Sequence, residues 1–382
     1  MRLVHVINSL SASGGAEQGL VREITRFTSS VEHLVVRLYQ PDRLEAKVVD
    51  AGIESVCLGL DSGHSGWNWP VGVSRLGRQL ERFAPDVVHS SLASANLISQ
   101  LAARRFSLPV LSTFTLSGDP ALMRHYQPGA GSRRARLLRK IERLAARGRH
   151  VWFRALTADA KETNVLAAGL DPDRVTVIPR GVPIPDLSLP APHREELGLP
   201  ADEAVVLNVG RQTAQKGHAD LVSAFASVRA SVPVHLVILG REGDGTRALQ
   251  EAIMREQIAE HVTVIPYSDR PYDYYRTANV FAFSSLMEGL GTAVLEAMAC
   301  AVPVVSYDIP PVREVAGGGR YAKLVPAGDF EGFASALKMM VENPRSVASM
   351  SDRARENVIS NYSLDTVALQ LQDRLRELAE SR

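Results

Sequence analysis

The sequence predicts an α/β protein: two doubly wound, parallel-sheet domains facing a cleft. Three observations carry this. Short apolar runs alternate with stretches of helical periodicity along the whole chain. Those runs are apolar at nearly every position, as strands covered on both faces must be. A proline-dense stretch divides the chain, and the two halves open alike, with a strand, a small-residue loop and a helix. At 382 residues the chain also exceeds one ordinary domain.

Taken in order, residues 3–8 read as a strand, 9–15 as a loop and 16–27 as a helix, with Leu20, Ile24 and Phe27 at helical spacing. Strands at 34–39, 53–58, 86–89, 110–113, 151–156 and 175–178 follow, separated by helices near 43–51, 71–83, 93–105, 133–147 and 157–168. Residues 179–200 carry Pro179, Pro183, Pro185, Pro190, Pro192 and Pro200, too many for regular structure, and read as the linker. The second half repeats the order: strand 204–209, loop 210–217, helix 218–229, then strands at 235–239, 262–266, 280–283, 302–307 and 323–325. Helices are expected at 246–260, 273–278 and 330–342, with a last one in 363–378. The expected domains are 1–180 together with a returning C-terminal helix 362–382, a linker 181–200, and 201–361.

Composition excludes several classes. Net charge is +1, so no global field favours nucleic acid. Cys57 and Cys300 lack metal-ligand spacing and suit a reducing compartment. No apolar run approaches the roughly 20 residues of a membrane-spanning helix, and no secretory leader is visible, so the expectation is a cytoplasmic protein.

The most informative stretch is SSLMEGLGTAVLEAMACAVP, residues 284–303. It follows a buried strand; Gly289 and Gly291 are expected to open a helix, and Pro303 to stop it. Glycines at a helix start let a ligand approach bare N–H groups, where the helix dipole adds positive potential. Glu288 and Glu296 bracket this start and can accept from sugar hydroxyls. Amide donors beside carboxylates suit a ligand that is part phosphate and part sugar. In the preceding loop Arg211 and Lys216 put two cations near a helix start, where an anionic guest would neutralise them. Ser13-Gly14-Gly15-Ala16-Glu17 is the matching loop of the first half. It is not G-x-G-x-x-G, so it does not support a nicotinamide cofactor.

Together, Gly14-Gly15-Ala16-Glu17, Val209-Gly210-Arg211 with Lys216-Gly217, and Glu288-Gly-Leu-Gly-Thr-Ala-Val-Leu-Glu296 resemble the GT-B fold, retaining, family-four glycosyltransferases (glycosyl transferases group 1). Val177-Ile178-Pro179-Arg180-Gly181-Val182 at the domain joint is similar as well. The resemblance covers nearly the whole chain and implies two Rossmann-like domains. It implies a sugar moved from a UDP- or GDP-sugar to a hydroxyl acceptor, lipid-linked or another glycoconjugate, with retention and without a metal or other cofactor. Arg211 and Lys216 would hold the diphosphate and Glu296 the ribose. Glu288 would touch the transferred sugar beside Gly289, Leu290 and Gly291. Gly14 and Gly15 would approach the phosphate, and Tyr267 would border the base. Glu288, Arg211 and Lys216 are the catalytic candidates.

On the acceptor side the candidates are His89 and Thr115. Thr115 stands where the family often has a His, and Arg180 and Pro183 stand where it commonly has Asn and Asp. His125 and Asp119 are the possible substitutes for that His. Thr115 suggests a catalytically silent nucleotide-sugar-binding subunit as one rival reading; a sugar-nucleotide epimerase or hydrolase of the same fold is another. Residues 133–149 are strongly basic, with an apolar stripe of Leu137, Leu138, Ile141 and Leu144. Such a helix is either a solvated face with its stripe in the core or a peripheral contact with an anionic inner-membrane face. Trp67 and Trp69 either stack on an acceptor sugar or cover a domain edge.

Overall fold

The computed structural model describes residues 1–11, 15–28, 30–40, 42–61, 68–117, 119–126 and 133–381. The chain divides into two compact units, 1–181 with 364–382, and 182–363. In the first unit the strands are β1 (Arg2–Ile7), β2 (Glu32–Arg37), β3 (Glu54–Cys57), β4 (Val87–Ser91), β5 (Val110–Phe114), β6 (Val151–Ala155) and β7 (Val175–Val177). Its first helices are α1 (Gly15–Ile24), α2 (Glu45–Asp50), α3 (Trp69–Phe83), α4 (Ala93–Arg104), α5 (Pro120–Tyr126), α6 (Arg133–Ala146) and α7 (Ala158–Ala168). The second unit holds β8 (Ala204–Val209), β9 (Val234–Leu239), β10 (Val262–Ile265), β11 (Val280–Phe283), β12 (Val304–Tyr307) and β13 (Lys323–Val325). Its helices are α8 (His218–Arg229), α9 (Thr246–Arg255), α10 (Pro271–Thr277), α11 (Thr292–Ala299), α12 (Pro310–Val315), α13 (Phe330–Glu342) and α14 (Pro344–Tyr362). The chain then returns to the first unit as α15 (Leu364–Glu380).

Every strand pairing among the described residues is parallel. The sheet orders are β3-β2-β1-β4-β5-β6-β7 and β10-β9-β8-β11-β12-β13. Each order reverses direction beside its first strand, so each sheet has the switch point where open α/β sheets bind ligands beyond the strand carboxyl ends. The central strands are buried along most of their length: Leu3, Val4 and Val6 in β1, and Val205 to Leu207 in β8, are at most 1% exposed. α15 closes one face of the first sheet, laying Val367, Leu371 and Leu375 on Leu3, Val87 and Leu111.

The structure departs from the expectations in three places. Residues 182–200 are not a free linker but part of the second unit. Prolines cannot join a ladder, yet their carbonyls and the backbone between them still accept hydrogen bonds. Arg355 Nη2 donates to Pro185 O at 2.9 Å, Arg276 donates to Leu189 O, and Arg194 Nη2 donates to Asn279 Oδ1 at 2.6 Å. Second, α5, α12 and α14 are unexpected helices. The buried face of α14 is Val347, Ser351, Ala354 and Val358, whose small side chains give little apolar signal. Third, Gly289 does not open α11. The helix starts at Thr292, capped by Gly291 at φ +82°, a left-handed geometry that suits glycine.

Candidate active site

In the second unit three loops meet at the carboxyl ends of β8, β9 and β11, and glycines let them interlock. A Cβ on Gly240 would overlap Gly210 O, and one on Gly217, at φ +61°, would overlap Ser284 O. Gly243 and Gly245 have backbone of Gln212 and Thr213 within 2.6–2.7 Å of where a Cβ would sit. The loop after β8 is tied to the loop after β11 by Leu286 N donating to Gln215 O at 2.8 Å and Ser284 Oγ donating to Lys216 O at 2.9 Å. Asn208 on β8 donates to Ala282 O on β11 at 2.7 Å and meets His218 Nε2 at 3.0 Å. Burial, together with the charge of Lys216, pulls His218 down to about 4, so it is a neutral strut at the start of α8.

This frame brings Lys216 and Glu288 together as an ion pair, with side chains 18% and 11% exposed. Ser285 Oγ donates to the same Glu288 oxygen at 2.6 Å, and the Lys216 ammonium lies 5.6 Å from the Phe283 ring centre. Lys216 is therefore already neutralised by Glu288, whereas the sequence suggested two cations awaiting a guest. The exposed Arg211 makes no ion pair or side-chain hydrogen bond among the described residues. Glu296 lies on α11 and accepts from Tyr275 Oη at 3.2 Å. Tyr275 is fully buried; burial and the Glu296 carboxylate push its hydroxyl well above the usual value, so it stays a donor. Gly289, Leu290 and Gly291 lie between the two carboxylates, and Tyr267 is 57% exposed beyond β10. Ser285, Tyr275, Asn208 and His218 escaped the sequence reading. Ser285, three residues before Glu288, had a signal in the Ser-x-x-Glu spacing; the other three had none.

In the first unit Gly14 and Trp67 lie outside the described residues. A Cβ on Gly15 would meet nothing within 4 Å, so its backbone is open. Thr115 is half-buried just past the end of β5. His89 does not end its strand: β4 continues through Ser91, and His89 is 1% exposed inside it. It meets Thr113 Oγ1 at 3.1 Å and His5 at 3.3 Å, and His5 meets His33 at 3.0 Å. This packed line of imidazoles leaves His89 no face for an acceptor. Its pKa is pulled down to about 3, by burial first and then by Arg154, partly offset by Glu23.

An acid sensitivity follows. His5 and His89 both have native pKa values below the ordinary 6.5. The unfolded chain therefore binds more protons below that pH, and stability present above it is lost as pH falls, for His89 down to about 3. His89 should cost about 2 kcal/mol between pH 7 and 5, and His5 acts in the same direction. The chain's 3 tryptophans, Trp67, Trp69 and Trp152, all belong to the first unit, so urea unfolding followed by tryptophan fluorescence reads that unit. A midpoint unchanged between pH 7 and 5 would contradict neutral burial.

The comparisons agree with this frame. The family model for glycosyl transferases group 1 matches residues 191–357, and that for a glycosyl transferase 4-like domain matches 14–181. The D-inositol 3-phosphate glycosyltransferase of Rhodococcus opacus is 28% identical over 376 residues, covering 94% of this chain and 82% of that protein. The Kineococcus radiotolerans protein of the same name is 29% identical over 299 residues, 70% of this chain; the match spans 66% of its length, just under two thirds. The crystal structure of Anabaena HepE in complex with UDP and glucose superposes with a TM-score of 0.83 at 18% identity, covering 99% of this chain and 100% of that one. With two glycosyltransferase models spanning both units and the parallel-sheet architecture above, the chain belongs to the GT-B glycosyltransferases of the group 1, family-four type.

Proposed function

We propose that this glycosyltransferase moves a sugar from a nucleoside-diphosphate sugar to a hydroxyl acceptor with retention of configuration, without a metal of its own. The observation that carries the reading is the Lys216–Glu288 pair, braced by Ser285 and set beside the amide-rich turn 289–291. An ammonium held by a carboxylate can turn to a diphosphate at little reorganisation cost. As the glycosidic bond breaks, charge grows on the leaving phosphate, and Lys216, Arg211 and the helix-start amides stabilise it more than the ground state. Glu288, released from Lys216, accepts from a sugar hydroxyl, and Glu296, oriented by Tyr275, accepts from the ribose. The leaving phosphate takes the acceptor's proton, so Thr115 has no base to be.

Isothermal titration with UDP and GDP tests the donor reading, and failure to bind either would sink it. Product anomer analysis tests retention, and activity in excess chelator tests metal independence. The relatives' names make inositol phosphates the first acceptors to try, ahead of lipid-linked sugars.

A second proposal concerns location. Residues 136, 137, 140, 143 and 144 of α6 are exposed and fall on one helical face. Arg136, Lys140 and Arg143 flank Leu137 and Leu144, which are 48% and 64% exposed, while Leu138 and Ile141 turn partly inward. The apolar stripe is thus split between core and surface. Among the described residues no helix is long and apolar enough to cross a membrane, so peripheral contact of a cytoplasmic enzyme is the form proposed. Cosedimentation with phosphatidylserine vesicles should fall at least several-fold in the triple variant Arg136→Glu, Lys140→Glu, Arg143→Glu; equal binding would retire the idea.

A further inference from the structure

Among the described residues of the first unit three arginines are buried, and two of them are neutralised: Arg37 pairs with Glu45 and Asp42, and Arg154 with Glu23. Arg154 forms a two-pronged pair with Glu23 at 2.7 and 2.9 Å. Arg180 is 4% exposed and makes no ion pair among the described residues. Its Nη1 donates to Gly15 O, a neutral acceptor, and its Nε has no hydrogen-bond partner among the described residues. The side chain occupies a slot that exists because residue 19 is glycine: a Cβ there would overlap Arg180 Cδ and sit 2.7 Å from Nη1 and 2.8 Å from Nε. Burial lowers the guanidinium to about 10, opposed by the charges of Glu23 and Glu17, so it is still a cation at neutral pH.

A cation at a helix amino terminus works against the helix dipole, and a buried charge without a counter-ion is costly. Both penalties are relieved if an anion binds there. We infer that Arg180 is a positioning residue for a substrate phosphate: it fixes the Gly15 turn at the start of α1 and holds there a positive charge that the phosphate neutralises. This rests on the proposed transfer from a nucleoside-diphosphate sugar. The phosphate is that of the donor or of a phosphorylated acceptor, and the two differ in which KM responds.

The experiment compares Arg180→Met, Arg180→Lys, Gly19→Ala and the Gly19→Ala/Arg180→Met double variant in the full-length enzyme. KM is measured for each substrate with the other saturating. Arg180→Met and Gly19→Ala should each raise one KM by roughly tenfold, the loss of a charged hydrogen-bonding partner, with kcat changed less than about threefold. Arg180→Lys, which keeps the charge and fits the slot loosely, should recover part of the loss. The double variant should be no worse than Arg180→Met, because the alanine acts only by evicting the arginine. The inference fails if both KM values stay at wild type in Arg180→Met, if kcat falls while both KM values hold, or if the two single losses multiply. Should Arg180→Met not fold, Arg180→Lys decides by the same KM readout. Wild-type protein that binds no nucleoside diphosphate sinks the donor reading itself; wild-type binding with unaffected Arg180 variants sinks only this inference.

Discussion

Lys216→Ala should lower kcat/KM by about 10²–10³, the usual cost of one preorganised donor to a developing negative charge. The structure adds a sharper expectation. Lys216 is the ion partner of Glu288, and that carboxylate is 11% exposed. Removing the lysine leaves Glu288 charged and turned toward the place where the diphosphate binds, so electrostatic repulsion adds to the lost attraction. Glu288→Gln alone loses an acceptor for a sugar hydroxyl but keeps Lys216 free for phosphate. The double variant should therefore be more active than Lys216→Ala, by about tenfold, a large non-additivity expected of groups that act as one unit. Steady-state kinetics on the four proteins decide it. A double variant whose loss is the product of the two singles would show that the pair seen here is not maintained in the working enzyme.

Glu23→Gln should destabilise the first unit by about 3–5 kcal/mol, since breaking a buried pair strands a buried charge. Both side chains are 1% exposed and come from positions 131 residues apart. Burial raises the Glu23 pKa, but the charge of Arg154 and its hydrogen bonds outweigh this and hold it below the ordinary value. Arg154 Nε also donates to Ile178 O at 2.9 Å and Nη2 donates to Pro179 O, so the arginine ties α1 to the chain leaving β7. In Glu23→Gln the remaining partners of Arg154 are neutral carbonyls, with the cationic Arg180 nearby. Replacing both members, Glu23→Leu with Arg154→Met, should restore part of the loss, because the pair's own charges are gone while the buried Arg180 still loses the favourable charge of Glu23. Tryptophan-detected urea unfolding separates the outcomes. A two-unit chain need not unfold in one step, and this probe isolates the unit concerned. A Glu23→Gln midpoint within error of wild type would refute the assignment.

The rule that made strands legible also limited the reading. Runs such as residues 204–209 and 280–283 are apolar at nearly every position, and burial between two helical layers leaves no alternative, so both were located to the residue. α14 was invisible for the converse reason: its inner face is built from small residues. His89 read as a strand end because a polar residue follows two valines, which left a ligand contact and a packed strand-end histidine equally open. The structure shows three histidines satisfying one another across neighbouring strands, a pairing that depends on register.

Chain-local chemistry identified the candidates: glycines at helix starts, cations in one loop and carboxylates spaced about a helix start. These are short-range patterns, and a linear sequence displays them directly. Tertiary structure alone decided their partners. Lys216 meets Glu288 across 72 positions, and Arg180 reaches Gly15 across 165. Tyr275 orients Glu296 from a different helix. Such pairings are set by which strands lie side by side and by where glycine leaves room for a neighbour, and neither can be read until the sheets have formed.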